Sequence, residues 1–199
     1  MDPNAVINRV MRLARLDTTV FDEVRDDVNE LVPALVVAAI SVLLAGFGAF
    51  LFWQIVPSVT FGSSFLNAFI LGSIFLFVMY GVAVAVVYVV MAQVYKVQVD
   101  FQTLFRTCGY AALPMALSVL MFIPLIYPVF ALVPLALLFV MMIYAVQSAT
   151  GADSNQVVES VLAGFTVMVL VLGAIAISTS LGKAPMGAGV FGLLLRLTS

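Results

Sequence analysis

Hydrophobic and polar positions along this chain do not alternate; they separate into long blocks. Leu31–Tyr95, Thr107–Ala152 and Ser160–Gly182 carry no charged side chain. A helix needs about 20 apolar residues to cross the hydrocarbon core of a bilayer. The first two blocks are each long enough for two crossings joined by a turn, and the third for one. The expected fold is all-α: a polytopic integral membrane protein, a bundle of five transmembrane helices preceded by short amphipathic helices. Spans are expected at about 33–56, 65–95, 107–125, 127–148 and 157–180,.

Punctuation between the blocks sets the boundaries. Glu30 and Pro33 suit a helix start, where an acid favours the dipole and the missing proline N–H is not needed,. Trp53 suits the far headgroup boundary,. Pro57–Ser64 reads as a short turn,. The second span, at ~1.5 Å per residue, reaches roughly 45 Å and is expected to tilt or protrude. Asp100 reads as an N-cap, with Phe101, Leu104, Phe105 and Cys108 following at helical spacing,. That third helix should start on the surface, enter near Tyr110 and bend at Pro114,. Pro124–Pro128 is a tight turn, which leaves a hairpin that barely reaches the far surface as a variant. Asp153–Gln156 caps the last span,. The glycine-rich tail has an apolar part, Val190–Leu195, too short to cross,.

The segment 1–30 follows a different pattern. On a helix of 100° per residue, Val6, Val10, Leu13 and Leu16 share one side, with Ile7 and Ala14 close by,. Asn8, Arg12 and Arg15 sit opposite, so Arg9, Arg12 and Arg15 are candidates for a helix lying at the membrane surface beside anionic lipid,. A second stripe, Val20, Val24, Val28 and Leu31, is surrounded by Asp22, Glu23, Asp26, Asp27 and Glu30. Two amphipathic helices packed under the bundle are the favoured reading, and a partner-docking surface is compatible with it. The acids spread around their helix and lack the glycine turn of a calcium loop, so they read as a solvated face.

Charge adds direction. Arg9, Arg12, Arg15 and Arg25 precede the first span, and Lys96 and Arg106 follow the second; the first and third loops have none. Basic segments stay cytoplasmic. The segment 1–30 is therefore expected inside, 31–182 as the membrane domain, and 183–199 as a tail outside. The membrane expected is a prokaryotic cell (inner) membrane.

Candidate chemistry is sparse. Charged residues make up 9% of the chain, against roughly 25% in soluble domains,. The net charge of −2 gives no reason to expect nucleic acid,. There is no histidine, which removes the commonest metal ligand and general base,. No cofactor, metal or catalytic residue is expected. Cys108 has no candidate base beside it, and no signal peptide is visible,. Asp153 and Glu159 read as caps; Glu159 lies in the opening turns of the last helix,. Tyr80 is mid-span and should bond a neighbouring helix,. Gly81 with Ala85, or Ala45 with Ala49, fit small-residue helix contacts, and the methionines read as packing,.

Asp17-Thr-Thr-Val-Phe-Asp-Glu-Val-Arg25 before the first span, and Phe101-Gln-Thr-Leu-Phe-Arg-Thr-Cys-Gly-Tyr-Ala-Ala-Leu-Pro114 with Ile123-Pro124 in the third, give the chain a resemblance. From about Asp17 to Ser180 it resembles the Yip domain family (Ypt-interacting proteins) in its short prokaryotic form. The resemblance implies five spans, a cytoplasmic N-terminus and no enzymatic activity. It also implies a role in membrane organisation or trafficking. Eukaryotic members associate with prenylated Rab GTPases and with each other. Those proteins have a longer cytosolic region before the membrane than the segment 1–30 of this chain, so GTPase binding is doubtful for it. Gly109, Tyr110 and Pro114 are the family-motif positions. Gly109 would permit close helix approach, Tyr110 would anchor at the boundary, and Pro114 would kink the helix.

Three functions follow in descending order. A scaffold or adaptor working through its cytoplasmic face fits the surface helix and the uncharged spans. A small transporter or channel subunit fits the proline-broken third and fourth helices, and would need a polar cavity between spans. A membrane enzyme would need a cleft joining Cys108 or Glu159 to other polar groups. A membrane-protein partner or a second copy of the chain is open under each.

Overall fold

The computed structural model describes residues 3–55, 65–123 and 125–178. Every regular element among them is helical. Helix α1 is Pro3–Ala14 and α2 is Val20–Asp26. A 3₁₀ turn, Val28–Glu30, runs directly into α3, Leu31–Ile55. The second crossing is a π-helical turn, Phe65–Leu71, then α4, Gly72–Val89, then a second π turn, Val90–Val94. The third is α5, Phe101–Ala111, followed by a 3₁₀ helix, Leu113–Phe122. Helices α6, Tyr127–Thr150, and α7, Ser154–Ser178, complete the bundle. Among the described residues, five stretches are long and apolar enough to cross a membrane: Val28–Ile55, Ala68–Val94, Phe101–Phe122, Val129–Thr150 and Ser154–Leu172. The turn expected at Pro57–Ser64, residue Pro124 and the tail 183–199 lie outside the described residues.

The spans form a closed ring. α3 packs on α4, α4 on α7, α7 on α6, and the third crossing joins α6 back to α3. The third crossing is the most enclosed, with 61% of its apolar stretch buried. It begins at Phe101 rather than at the edge of the uncharged block, because Arg106 is taken inside, 5% exposed. Asp100 caps it: its carboxylate accepts from the Thr103 N–H at 2.8 Å,. At Pro114 the helix does more than bend. Its pitch changes from α to 3₁₀, with proline in the first turn where no N–H is required,.

Close approach explains where glycine is needed. A Cβ on Gly48 would fall 2.7 Å from Val119 Cα, so α3 meets the 3₁₀ helix almost backbone to backbone. A Cβ on Gly109 would fall 2.7 Å from Ala34 Cβ and 2.8 Å from the Ala34 carbonyl carbon. Bilayer helices associate through such packing, since lipid tails are as apolar as leucine. The expectation for Gly81 is corrected: a Cβ there would meet nothing within 4 Å. Ala45 and Ala49 are buried on α3, as small contact residues should be. Tyr80 donates to the Cys108 carbonyl, tying α4 to α5 in mid-span.

Candidate functional site

Polar side chains gather at one end of the bundle, where α2 lies against α5 and α6, and α1 against α2 and the 3₁₀ helix of the third crossing. The centre is Glu30. It is 7% exposed although it stands at the start of the first span. Arg9 of α1 donates through Nη1 to Glu30 Oε1. Tyr110 of α5, wholly buried, donates its hydroxyl to Glu30 Oε2 at 2.6 Å. Three elements far apart in sequence thus share one carboxylate. A buried carboxylate is costly unless paired and hydrogen-bonded, and here both oxygens have a donor. The Tyr110 phenol is enclosed by protein, because its acceptor is enclosed.

Around this centre Arg12 and Arg25, and Arg9 again, meet acids in and around α2. Arg12 pairs with Asp17 at 2.8 Å and Glu23 at 2.6 Å. Arg9 also lies 3.8 Å from Glu23 and 3.9 Å from Asp27. Arg25 pairs with Asp26 at 2.8 Å and Asp22 at 3.2 Å, and donates to the Ser148 carbonyl in the last turn of α6. Ser148 returns a hydrogen bond to Asp22 at 2.6 Å. Arg106 Nη2 donates to the Arg25 carbonyl at 2.8 Å, at the end of α2. Cations therefore sit on the carbonyl ends of α2 and α6, where the helix dipole favours them. The acids expected as a solvated face are largely partners for arginine. Water screens the exposed pairs and leaves each of them a small contribution, so the buried Glu30 group dominates.

The candidate surface arginines part company. Arg9 and Arg12 turn to the protein's own acids. Arg15 is exposed and makes no ion pair among the described residues. The apolar side of α1 divides as well. Val6 and Leu13 are buried, whereas Ile7, Met11 and Leu16 are more than half exposed. Leu16 ends α1 with φ 63°, a left-handed position normally given to glycine,. The Leu16 N–H bonds the Leu13 carbonyl and the Asp17 N–H bonds the Arg12 carbonyl. The remaining motif residues behave structurally: Gly109 meets Ala34, and Pro114 opens the 3₁₀ helix.

Across the same end, Tyr95 donates to Glu159, joining the second crossing to α7. That contact holds the Tyr95 phenol above its ordinary range, with desolvation adding to it. Glu159 is thus a tie between helices besides favouring its own helix start. Among the described residues, no cluster of His, Cys, Asp or Glu is arranged to hold a metal.

Three carboxyls at this end are held below the ordinary aspartate value of 3.8. Asp17 is lowered by the Thr19 hydroxyl and then by Arg12; Asp26 by Arg25; Asp100 by the Thr103 N–H and then the Thr103 hydroxyl. A depressed carboxyl stabilises the fold above its unfolded value, and that contribution disappears as pH falls through the folded one. Thermal stability of the purified protein in detergent is therefore expected to be flat at neutral pH and to fall below about pH 4. Asp100→Ala should lower stability by ~1 kcal/mol at neutral pH and remove part of that acid dependence. Melting curves across pH test both.

A model of the Yip1 domain matches residues 17–193, spanning α2 through the last helix and beyond the described residues. The chain belongs to the Yip1 domain family. No curated protein and no solved structure gives a significant match. It is an integral membrane protein of that family, and the Glu30–Tyr110 bond lies wholly within the Yip1 match. Helix α1, which supplies Arg9, precedes the match. Sequence reasoning missed Glu30 as a buried centre. The only signal was an acid placed directly before an apolar run, and a helix-start preference explained that equally well.

Proposed function

We propose that this Yip1 domain protein is a non-enzymatic membrane scaffold or adaptor that works through a rigid platform built from the segment 1–30 on the cytoplasmic face. The observation that carries the reading is Glu30 held between Arg9 and Tyr110, which fixes α1 on the bundle. Most charged side chains at this end are paired with one another, as a fixed surface requires, although the buried Arg106 Nε has no partner among the described residues. The exposed apolar groups of the platform, Ile7, Met11 and Val28, are where a partner or the membrane surface would make contact. Arg9, Arg12, Arg15, Arg25 and Lys96 all lie on this end, which supports a cytoplasmic placement, with 31–182 as the membrane domain and 183–199 beyond it,.

The transporter reading has less support. Cavities between the spans have mostly apolar walls; the one bounded by Val42, Ile74 and Phe77 has a single polar group, the Ser73 hydroxyl, which is buried without a hydrogen-bond partner among the described residues. Ser41, Thr107 and Ser160 bond carbonyls of their own helices rather than a channel. The test has two arms. Asn155→Cys, exposed at the start of α7, should react with a membrane-impermeant thiol reagent only after the cells are opened. Photo-crosslinkers at Met11 and Val28 should capture one reproducible partner, which crosslinkers at Leu132 on the lipid-facing side of α6 should not. Labelling of intact cells, or capture equal from all positions, refutes the platform.

A further inference from the structure

A cavity of about 190 Å³ lies where the end of α1 meets the third crossing and α6. Its walls include Leu13, Leu16, Tyr110, Pro114, Leu117 and Met141. It opens sideways: Leu16 and Leu117 at its edge are 65% and 42% exposed. With the platform at the membrane surface, as proposed above, an apolar groove that opens sideways from a span faces lipid tails. Two observations narrow the occupant. Arg15 lies between the lining residues Ala14 and Leu16, and it is exposed without an ion pair among the described residues, unlike Arg9 and Arg12. Leu16 holds a left-handed backbone that a leucine rarely adopts, and its side chain lines the groove,.

We propose that the groove is a phospholipid site: one acyl chain lies between Leu16, Leu117 and Met141, and the phosphate of an anionic headgroup sits on Arg15. This rests on the reading above that the platform faces the membrane surface. Acyl burial supplies affinity roughly in proportion to the methylenes covered, and a basic side chain beside the phosphate supplies preference for negative charge. The proposal also gives the motif residues Tyr110 and Pro114 a second part, since both wall the groove while Tyr110 holds Glu30.

Reconstitution of the full chain into phosphatidylcholine vesicles containing phosphatidylglycerol allows a direct test. Phosphatidylglycerol and phosphatidylcholine probes, each with a photoactivatable acyl chain, are compared by mapping the adducts. The glycerol probe should label peptides containing Leu117 and Met141 about fivefold more than the choline probe. Arg15→Glu should abolish that preference while leaving total labelling of other lipid-facing peptides unchanged. Leu117→Trp, or Ala116→Phe if the first does not fold, should remove labelling at Met141 and leave the melting temperature near the parent's. Equal labelling by both probes, or groove labelling no higher than at Leu132, overturns the proposal. Either result leaves the platform intact if Asn155→Cys still labels from the cytoplasmic side; surface labelling of Asn155→Cys would overturn the platform instead.

Discussion

Glu30→Ala is expected to release α1 from the bundle. Removing the carboxylate leaves the Tyr110 hydroxyl wholly buried without its acceptor, and the partly buried Arg9 guanidinium with only its longer contacts to Glu23 at 3.8 Å and Asp27 at 3.9 Å. Breaking a buried pair on one side costs ~3–5 kcal/mol, because the surviving charge is stranded. The cheapest escape is for α1 to swing into water, carrying Arg9 with it. The loss should therefore be local: faster amide exchange and protease cutting at Arg9 and Arg12, with the spans still helical. Arg9→Ala should cost about as much, since it strands the carboxylate. Tyr110→Phe should cost less, ~1.5–3 kcal/mol, because Glu30 keeps its cation while losing one hydrogen bond to a charged group. If Tyr110→Phe proves as damaging as Glu30→Ala, the charge pair is not what holds α1.

That ranking could not be read from the chain. The spans could, because charge-free blocks as long as Leu31–Tyr95 and Thr107–Ala152 leave few alternatives to bilayer crossings,. The Asp100 cap was legible too, since its acceptor and donor are three residues apart. Glu30 was not: Arg9 lies 21 residues before it and Tyr110 lies 80 after. A helical projection of α1 shows an arginine side and an apolar side, but not the acids of α2 that Arg9 and Arg12 meet. The change of pitch at Pro114 was hidden for a similar reason. Proline marks a break, and the partner backbone, here α3 at Gly48, favours the form that fits. Local signals gave elements and caps; the shared carboxylate is a product of packing.

The glycines make the same distinction testable. Gly109→Val is expected to be among the most damaging single changes in the spans. Its Cβ would be placed 2.7 Å from Ala34 Cβ and 2.8 Å from the Ala34 carbonyl carbon and oxygen, and two of those atoms are main chain. Backbone within two apposed helices cannot rotate aside, so α3 and α5 must separate where the start of one meets the end of the other. Overpacking of a close-packed interior costs ~1–3 kcal/mol, and the figure here should sit at or above that range. Two hydrogen bonds flank the contact, from Tyr80 to the Cys108 carbonyl and from Tyr110 to Glu30, and both lengthen if the helices part. Gly81→Ala makes the opposite prediction. Nothing lies within 4 Å of the added methyl, and alanine is the better helix former by ~0.5–1 kcal/mol, so the melting temperature should hold or rise,. A drop for Gly81→Ala as large as that for Gly109→Val would mean that the cost comes from the substituted helix itself and not from close approach to a neighbour.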